Sequence, residues 1–133
     1  MKYLLAIFGE EGDQQTEMSP EDMQAAMQPW ADYGAELVEA NAYIAGEGLQ
    51  PSQTATTIKH APGGERILTD GPFAETKEQI GGFYLIEAAN LDEALEWGKK
   101  VPVGEGNSVE VRPVMDFTEF GYEDPAQAGA AAS

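Results

Sequence analysis

The sequence predicts an α+β fold of the ferredoxin-like kind, with βαββαβ order and an extra hairpin strand. Three observations carry that expectation. Extended apolar segments occur at 3–8, 82–88 and 108–115. Two helical patterns open behind capping residues, at Ser19 and Asn90. A threonine-rich, β-branched pair of segments flanks a Pro/Gly turn at 61–65.

Tyr3-Leu4-Leu5-Ala6-Ile7-Phe8 is apolar on both faces and reads as a central strand covered on both sides, with a polar, acidic loop from Gly9 to Glu17 after it. Ser19 is placed as N-cap, Pro20 at the first helical position and Asp22 at the third. Met23, Met27, Trp30, Tyr33, Leu37 and Val38 make an apolar stripe expected to be core. Pro29 should kink this helix, and Gly46 and Gly48 end the segment. Thr54–Lys59 and Arg66–Thr69 form the hairpin around Ala61-Pro62-Gly63-Gly64-Glu65. Gly82–Ala88 is the next strand. Asn90 caps a second helix whose inner face is Leu91, Ala94, Leu95 and Gly98, with Lys99 and Lys100 matched to its C-terminal dipole and Pro102 stopping it. The alternation from Ser108 to Met115 is the last strand.

Two helices can cover only one face of such a sheet. Phe83, Leu85, Val109, Val111 and Met115 cannot all meet them, so the sequence predicts a bare apolar face covered by a second copy, in a homodimer with its two sheets facing.

A chain of 133 residues supports one domain, expected over 1–120, with an acidic, Ala/Gly-rich flexible tail at 121–133. Seven basic residues against 24 acidic ones give a formal charge of −17, which argues against nucleic acid and against anionic membrane as partners. There is no cysteine, so disulfides, thiol catalysis and thiolate metal sites are excluded. A single histidine, and an acidic Glu10-Glu11-Gly12-Asp13 loop without calcium-loop spacing, point to no metal site. No glycine-rich phosphate loop follows a strand, so no cofactor is expected. The N-terminal apolar run is too short for a signal peptide or membrane span, and the expected location is cytoplasmic.

The densest segment is Thr69-Asp70-Gly71-Pro72-Phe73-Ala74-Glu75-Thr76-Lys77-Glu78, followed by Gly81-Gly82-Phe83-Tyr84. Asp-Gly and Gly-Pro are both turn dipeptides, and a turn loaded with ionisable groups is where a small domain places a site. With Gly46-Glu47-Gly48-Leu49-Gln50-Pro51, Leu91-Asp92-Glu93-Ala94 and Val109-Glu110-Val111-Arg112-Pro113-Val114, these residues resemble the DGPF-type branch of the YCII-related domain family. The resemblance spans nearly all of 1–120 and implies a dimeric α+β barrel of two ferredoxin-like protomers, with a cleft between sheet and helices. It implies a dimeric small-molecule-binding or accessory protein, with a sigma-factor-related partner as one form of the accessory role. The alternative is a cofactor-independent enzyme performing proton transfer of isomerase or lyase type. Shorter family members carry a first-helix histidine paired with an aspartate. This chain has no histidine between Ser19 and Ala45, so no such dyad carries over.

Asp70 is the candidate catalytic residue, as a general base or substrate-binding carboxylate; the alternative is an aspartate accepting backbone N–H bonds within its own turn. Glu75, Lys77 and Glu78 are candidate ligand-binding residues of the same cleft, with Lys77 recruiting an anionic group, or else a solvated cluster. Phe73 is either an anchor of the turn in the core or a ring that stacks on ligand. Tyr84 and Arg112, expected on adjacent strands, could hydrogen-bond a ligand and hold a carboxylate; otherwise Arg112 pairs with Glu110 or Glu87. Glu47 follows a glycine at a helix end and could point into the cleft; the alternative is a helix-to-strand loop residue. His60, at the hairpin tip, reads as an exposed loop residue.

Overall fold

Both helices begin where their side chains dictate. The Ser19 hydroxyl accepts a hydrogen bond from the Asp22 N–H (3.1 Å), and Pro20 opens α1 (Pro20–Glu39), which continues through Pro29. The Asn90 side chain accepts from the Glu93 N–H (2.9 Å) at the start of α2 (Leu91–Lys100). The computed structural model describes residues 1–11, 19–74 and 76–125. Within them the strands are β1 (Lys2–Glu10), β2 (Tyr43–Gly48), β3 (Thr56–His60), β4 (Arg66–Asp70), β5 (Glu78–Glu87) and β6 (Ser108–Pro113), with short 3₁₀ turns at Ser52–Thr54 and Phe117–Phe120.

β2, β5, β1 and β6 pair in that order, antiparallel throughout, in one four-stranded sheet. This is the ferredoxin-like arrangement, but its second strand is not the one the sequence suggested. The strand beside β5 is Tyr43–Gly48, a stretch read from sequence as the end of the helical segment. Gly46 has a tertiary reason: a Cβ there would stand 2.7 Å from the Tyr84 ring, so the strand must be bare at that point for the ring to fit. The hairpin β3–β4 therefore contributes no strand to this sheet and forms a separate two-stranded one. β1 continues through Gly9 and Glu10, opposite Gln79 and Glu78, so the expected loop starts later, and residues 12–18 lie outside those described.

Directly opposed residues share a sheet face. Tyr3, Leu5, Tyr84, Ile86 and Val111 face the helices, where they meet Tyr33 and Leu37 of α1 and Ala94 of α2. Leu5, Leu37 and Ile86 are fully buried, each contributing about 1.5–3 kcal/mol by leaving water. Gly98 lets α2 approach the sheet, since a Cβ there would lie 3.0 Å from Val111 Cγ2. Val109 and Val111 thus belong to the covered core, not to the bare face. The uncovered side carries Leu4, Ala6, Phe83 and Leu85, with Leu4, Phe83 and Leu85 only half-buried. So, among the described residues, the helices cover β1 on one side only.

Two helical stripes are shifted from expectation. Met23, Met27 and Val38 are exposed, because only the half of α1 from Trp30 to Leu37 lies over the sheet. On α2 the inward residues are Ala94, Trp97 and Gly98, while Leu91 and Leu95 are exposed. Beyond β6, Gly121 and Tyr122 close the 3₁₀ turn by backbone bonds to Thr118 and Phe117; residues 126–133, most of the expected tail, lie outside those described. Among the described residues no helix is long and apolar enough to cross a membrane.

Tyr33 ties the layers together. Its ring meets Tyr84 and Trp97 edge-on at centroid distances of 5.2 and 6.2 Å, and its hydroxyl donates to the Trp97 carbonyl (2.8 Å). Burial, then Tyr84 and Glu36, push the Tyr33 phenol well above the ordinary tyrosine range, and burial raises Tyr84 likewise. The folded state therefore holds the neutral phenol. Its stabilisation is fully present below the unfolded phenol pKa of about 10 and is lost as pH rises beyond it. We expect Tyr33→Phe to cost about 1 kcal/mol at neutral pH and to flatten the alkaline loss, both read from urea midpoints below and above about pH 10. Leu37→Ala should cost about 2–5 kcal/mol in the same measurement.

Candidate functional site

β4 ends at Asp70, and the chain then turns sharply through Gly71 at φ +102°, a conformation a side chain resists. Two bonds fasten this turn to the hairpin: the Gly71 N–H donates to the Ala55 carbonyl (2.7 Å), and the Thr57 hydroxyl donates to the Gly71 carbonyl (2.8 Å). At the other end, the Gln79 side-chain amide donates to the carbonyls of Ala74 and Thr76 (2.9 Å each), and the Thr76 hydroxyl donates to that of Glu78 (2.6 Å). The DGPF segment is held at both ends.

The strand it leads into carries a bulge. Ile7 pairs with Gly82 but Phe8 pairs with Ile80, leaving Gly81 as the extra residue. Bulges bend a strand and sharpen its twist, and they recur beside binding sites. Just past this one, Glu10, Lys77 and Gln79 line a cleft of about 600 Å³ together with Asp70 and Pro72. The 3₁₀ turn supplies Ser52 and Gln53 to another wall, fixed there by Glu11, whose carboxylate accepts from the Ser52 N–H (2.8 Å) and hydroxyl (2.5 Å).

The charges in this cleft are unevenly committed. Glu11 is spent on Ser52, and Lys77 Nζ stands 3.7 Å from Glu10, both side chains exposed. The Asp70 carboxylate makes no hydrogen bond or ion pair with any described residue, so it is not the self-capping turn aspartate that sequence allowed. Among the described residues no cluster of three metal-binding side chains occurs. The cleft can thus accept hydrogen bonds from a neutral or cationic ligand.

The remaining sequence candidates lie elsewhere. Glu78 is exposed across from Glu10, near the cleft but not lining it. Glu75 lies outside the described residues. Phe73 is 86% exposed and anchors nothing in the core. Glu47 is a strand residue, opposite Phe83 on the uncovered sheet face, rather than a loop residue. Tyr84 and Arg112 are not on adjacent strands: β1 separates them and register puts them on opposite faces. Tyr84 lies under Trp30, stacked at 6.4 Å, while Arg112 pairs with Glu110 at 2.5 Å. His60 is exposed near the hairpin tip.

Sequence reasoning missed Glu10, Glu11, Ser52 and Gln79. Glu10 and Glu11 read as solvated acids, and only the pairing of β1 with β5 brings them to the turn. A second cleft, of about 910 Å³, lies between the N-terminus and the 117–120 turn. Its polar groups are largely paired: the N-terminal ammonium binds Glu87 (2.7 Å), and Asp116, held below the usual carboxylate range by bonds from Thr118, caps that turn.

Comparison with known proteins is consistent with this geometry. The model of the YCII-related domain matches residues 1–118. An uncharacterized protein of Rhizobium meliloti (strain 1021) is 41% identical over 98 residues, covering 72% of this chain and 78% of that protein.

The hold on the turn is testable. Gly71→Ala should cost about 1–2 kcal/mol in urea denaturation through its positive φ, and should speed hydrogen exchange at the residue-71 amide.

Proposed function

The chain belongs to the YCII-related domain family, and from that membership and the DGPF cleft we propose that it is a dimeric, small-molecule-binding protein with a cleft on each protomer. The observation that carries the reading is the Asp70 carboxylate, which pairs with no described residue, at a cleft with Ser52 and Gln79 fixed by hydrogen bonds in its walls. Glu10 and Asp70 favour a ligand that offers N–H or O–H donors, neutral or cationic, over an anion; Lys77 is balanced by Glu10. The dimeric part of the reading is supported by the half-buried Leu4, Phe83 and Leu85 on the sheet face away from the helices, which a second sheet would bury. A cytoplasmic setting belongs to the same reading. In its accessory form, with a sigma-factor-related partner, the acidic body would meet a basic surface in a contact weakened by salt.

A second reading is favoured by that same carboxylate: Asp70 acts as general base in proton transfer on the bound molecule. Both readings are tested by screening a metabolite library by ligand-detected NMR and repeating each hit with Asp70→Asn. Losing one charge-assisted hydrogen bond should weaken binding about ten- to hundredfold while leaving the melting temperature unchanged. A hit consumed by the native chain and not by the variant selects the enzyme. A variant that merely melts several degrees lower, with no ligand found, makes Asp70 a structural residue. For the dimer, sedimentation equilibrium should give twice the chain mass; a folded monomer at every concentration overturns it.

A further inference from the structure

The hairpin β3–β4 is built unlike the rest of the protomer. Every residue of its two strands is exposed except Thr57, which is half-buried. Neither strand packs substantially on the four-stranded sheet or on a helix. A lone two-stranded hairpin is marginal in water, and three-stranded or packed arrangements are needed for independent stability. Yet this one carries apolar side chains outward: Ile58 (57% exposed) and Leu68 (67%) face each other across it.

Register adds a second fact. Thr56 opposes Asp70, Ile58 opposes Leu68, and His60 opposes Arg66, so these six residues share one face. The exposed apolar pair therefore lies on the face that carries Asp70 at its root and Arg66 towards its tip. Charge adds a third. Residues 56–70 hold Lys59 and Arg66 against Glu65 and Asp70 and are neutral, so the whole of the −17 resides on the rest of the chain. A neutral arm whose apolar face carries Arg66 near its tip is complementary to an acidic body, and this chain supplies that body itself.

We propose that β3–β4 is an exchange arm: it leaves its own protomer and lays its Ile58/Leu68 face on the body of a second copy. Because Asp70 shares that face, the partner's surface roofs the cleft, and each ligand site is complete only in the dimer. Arg66, on the same face, is directed at the partner's carboxylates, while Ile58 and Leu68 supply the apolar contact. The inference rests on the dimeric reading above and goes beyond it, since a sheet-to-sheet dimer needs no arm.

The experiment exploits the absence of cysteine. Leu68→Cys is the sole thiol in the chain, and a photo-crosslinker on it, used in an equimolar mixture of ¹⁴N- and ¹⁵N-labelled protein, should give mixed-isotope adducts with the body of the other copy. In native protein, amides of Thr56–His60 and Arg66–Asp70 should exchange slowly above the dimer dissociation constant and rapidly below it. Ile58→Glu with Leu68→Glu should weaken dimerisation about tenfold or more without altering the circular dichroism of the monomer. Adducts confined to one chain, or hairpin exchange that ignores concentration in a protein that sediments as a dimer, overturn the arm and leave the dimer standing. Adducts to some other acidic protein added to the mixture, without self-adducts, also overturn it. A protein monomeric at every concentration overturns the dimer and the arm together.

Discussion

Two helices can bury only one face of a four-stranded sheet, and that shortage shapes the protein. On the helix side the solution is complete: Tyr33 bridges α1, α2 and Tyr84, and Gly46 and Gly98 remove the two side chains that would hold the layers apart. No buried side-chain polar atom among the described residues lacks a partner. On the other side, apolar residues in β1 and β5 are only half-buried. A chain of this size has few internal means of closing that face, because its remaining apolar side chains are spread over the hairpin, the exposed turns of α1 and the segment after β6.

The site follows from the same sheet. The bulge opposite Ile7 and Phe8 shifts the register, and beyond it β1 and β5 stay paired as far as Glu10 and Glu78, which brings the end of β1 to the DGPF turn. That turn is rigid for reasons unrelated to any ligand: a glycine at positive φ, a threonine hydroxyl and an amide side chain fix its backbone. Asp70 is the exception, a fixed backbone carrying a carboxylate that no described residue engages. Groups that stabilise the fold are normally consumed by it, as Glu11 is by Ser52, so an uncommitted charge in a fixed setting points to use by something outside the protomer.

What could be read from sequence, and what could not, divides along the same physical line. Ser19, Pro20 and Asn90 were legible because capping depends on neighbours within three residues. The turn at Asp70-Gly71-Pro72 was legible for the same reason. β2 was not, because Gly46 and Gly48 signal termination locally, while Gly46 serves the Tyr84 ring, a residue nearly forty positions away. The stripes on α1 and α2 gave the helices correctly but overextended their buried faces, since periodicity cannot say where the sheet beneath them stops. Tyr84 and Arg112 were expected on adjacent strands because consecutive strands often pair; β1 lies between them instead, so no shared ligand is required. The cleft's Glu10 and Glu11 were illegible because their setting is created by strand pairing alone.

Charge sets the terms on which a second copy can be met. Two acidic bodies repel, so a sheet-to-sheet contact must overcome that repulsion by apolar burial and is strengthened when salt screens it. The tip of the neutral arm works in the opposite sense: Arg66 against acidic surface attracts, and salt weakens that attraction. A strongly acidic protein that must self-associate has good reason to place an uncharged, apolar element at the contact and a scarce cation beside it. With only seven basic residues in the chain, siting Arg66 beside the Ile58–Leu68 pair is a costly use of a cation for solubility alone. It is an economical one for orientation, because complementary charge steers and registers a contact more than it strengthens it. The hairpin's neutrality and its exposed Ile58–Leu68 pair are then two aspects of one requirement, and the Asp70 cleft at its root shares the consequences.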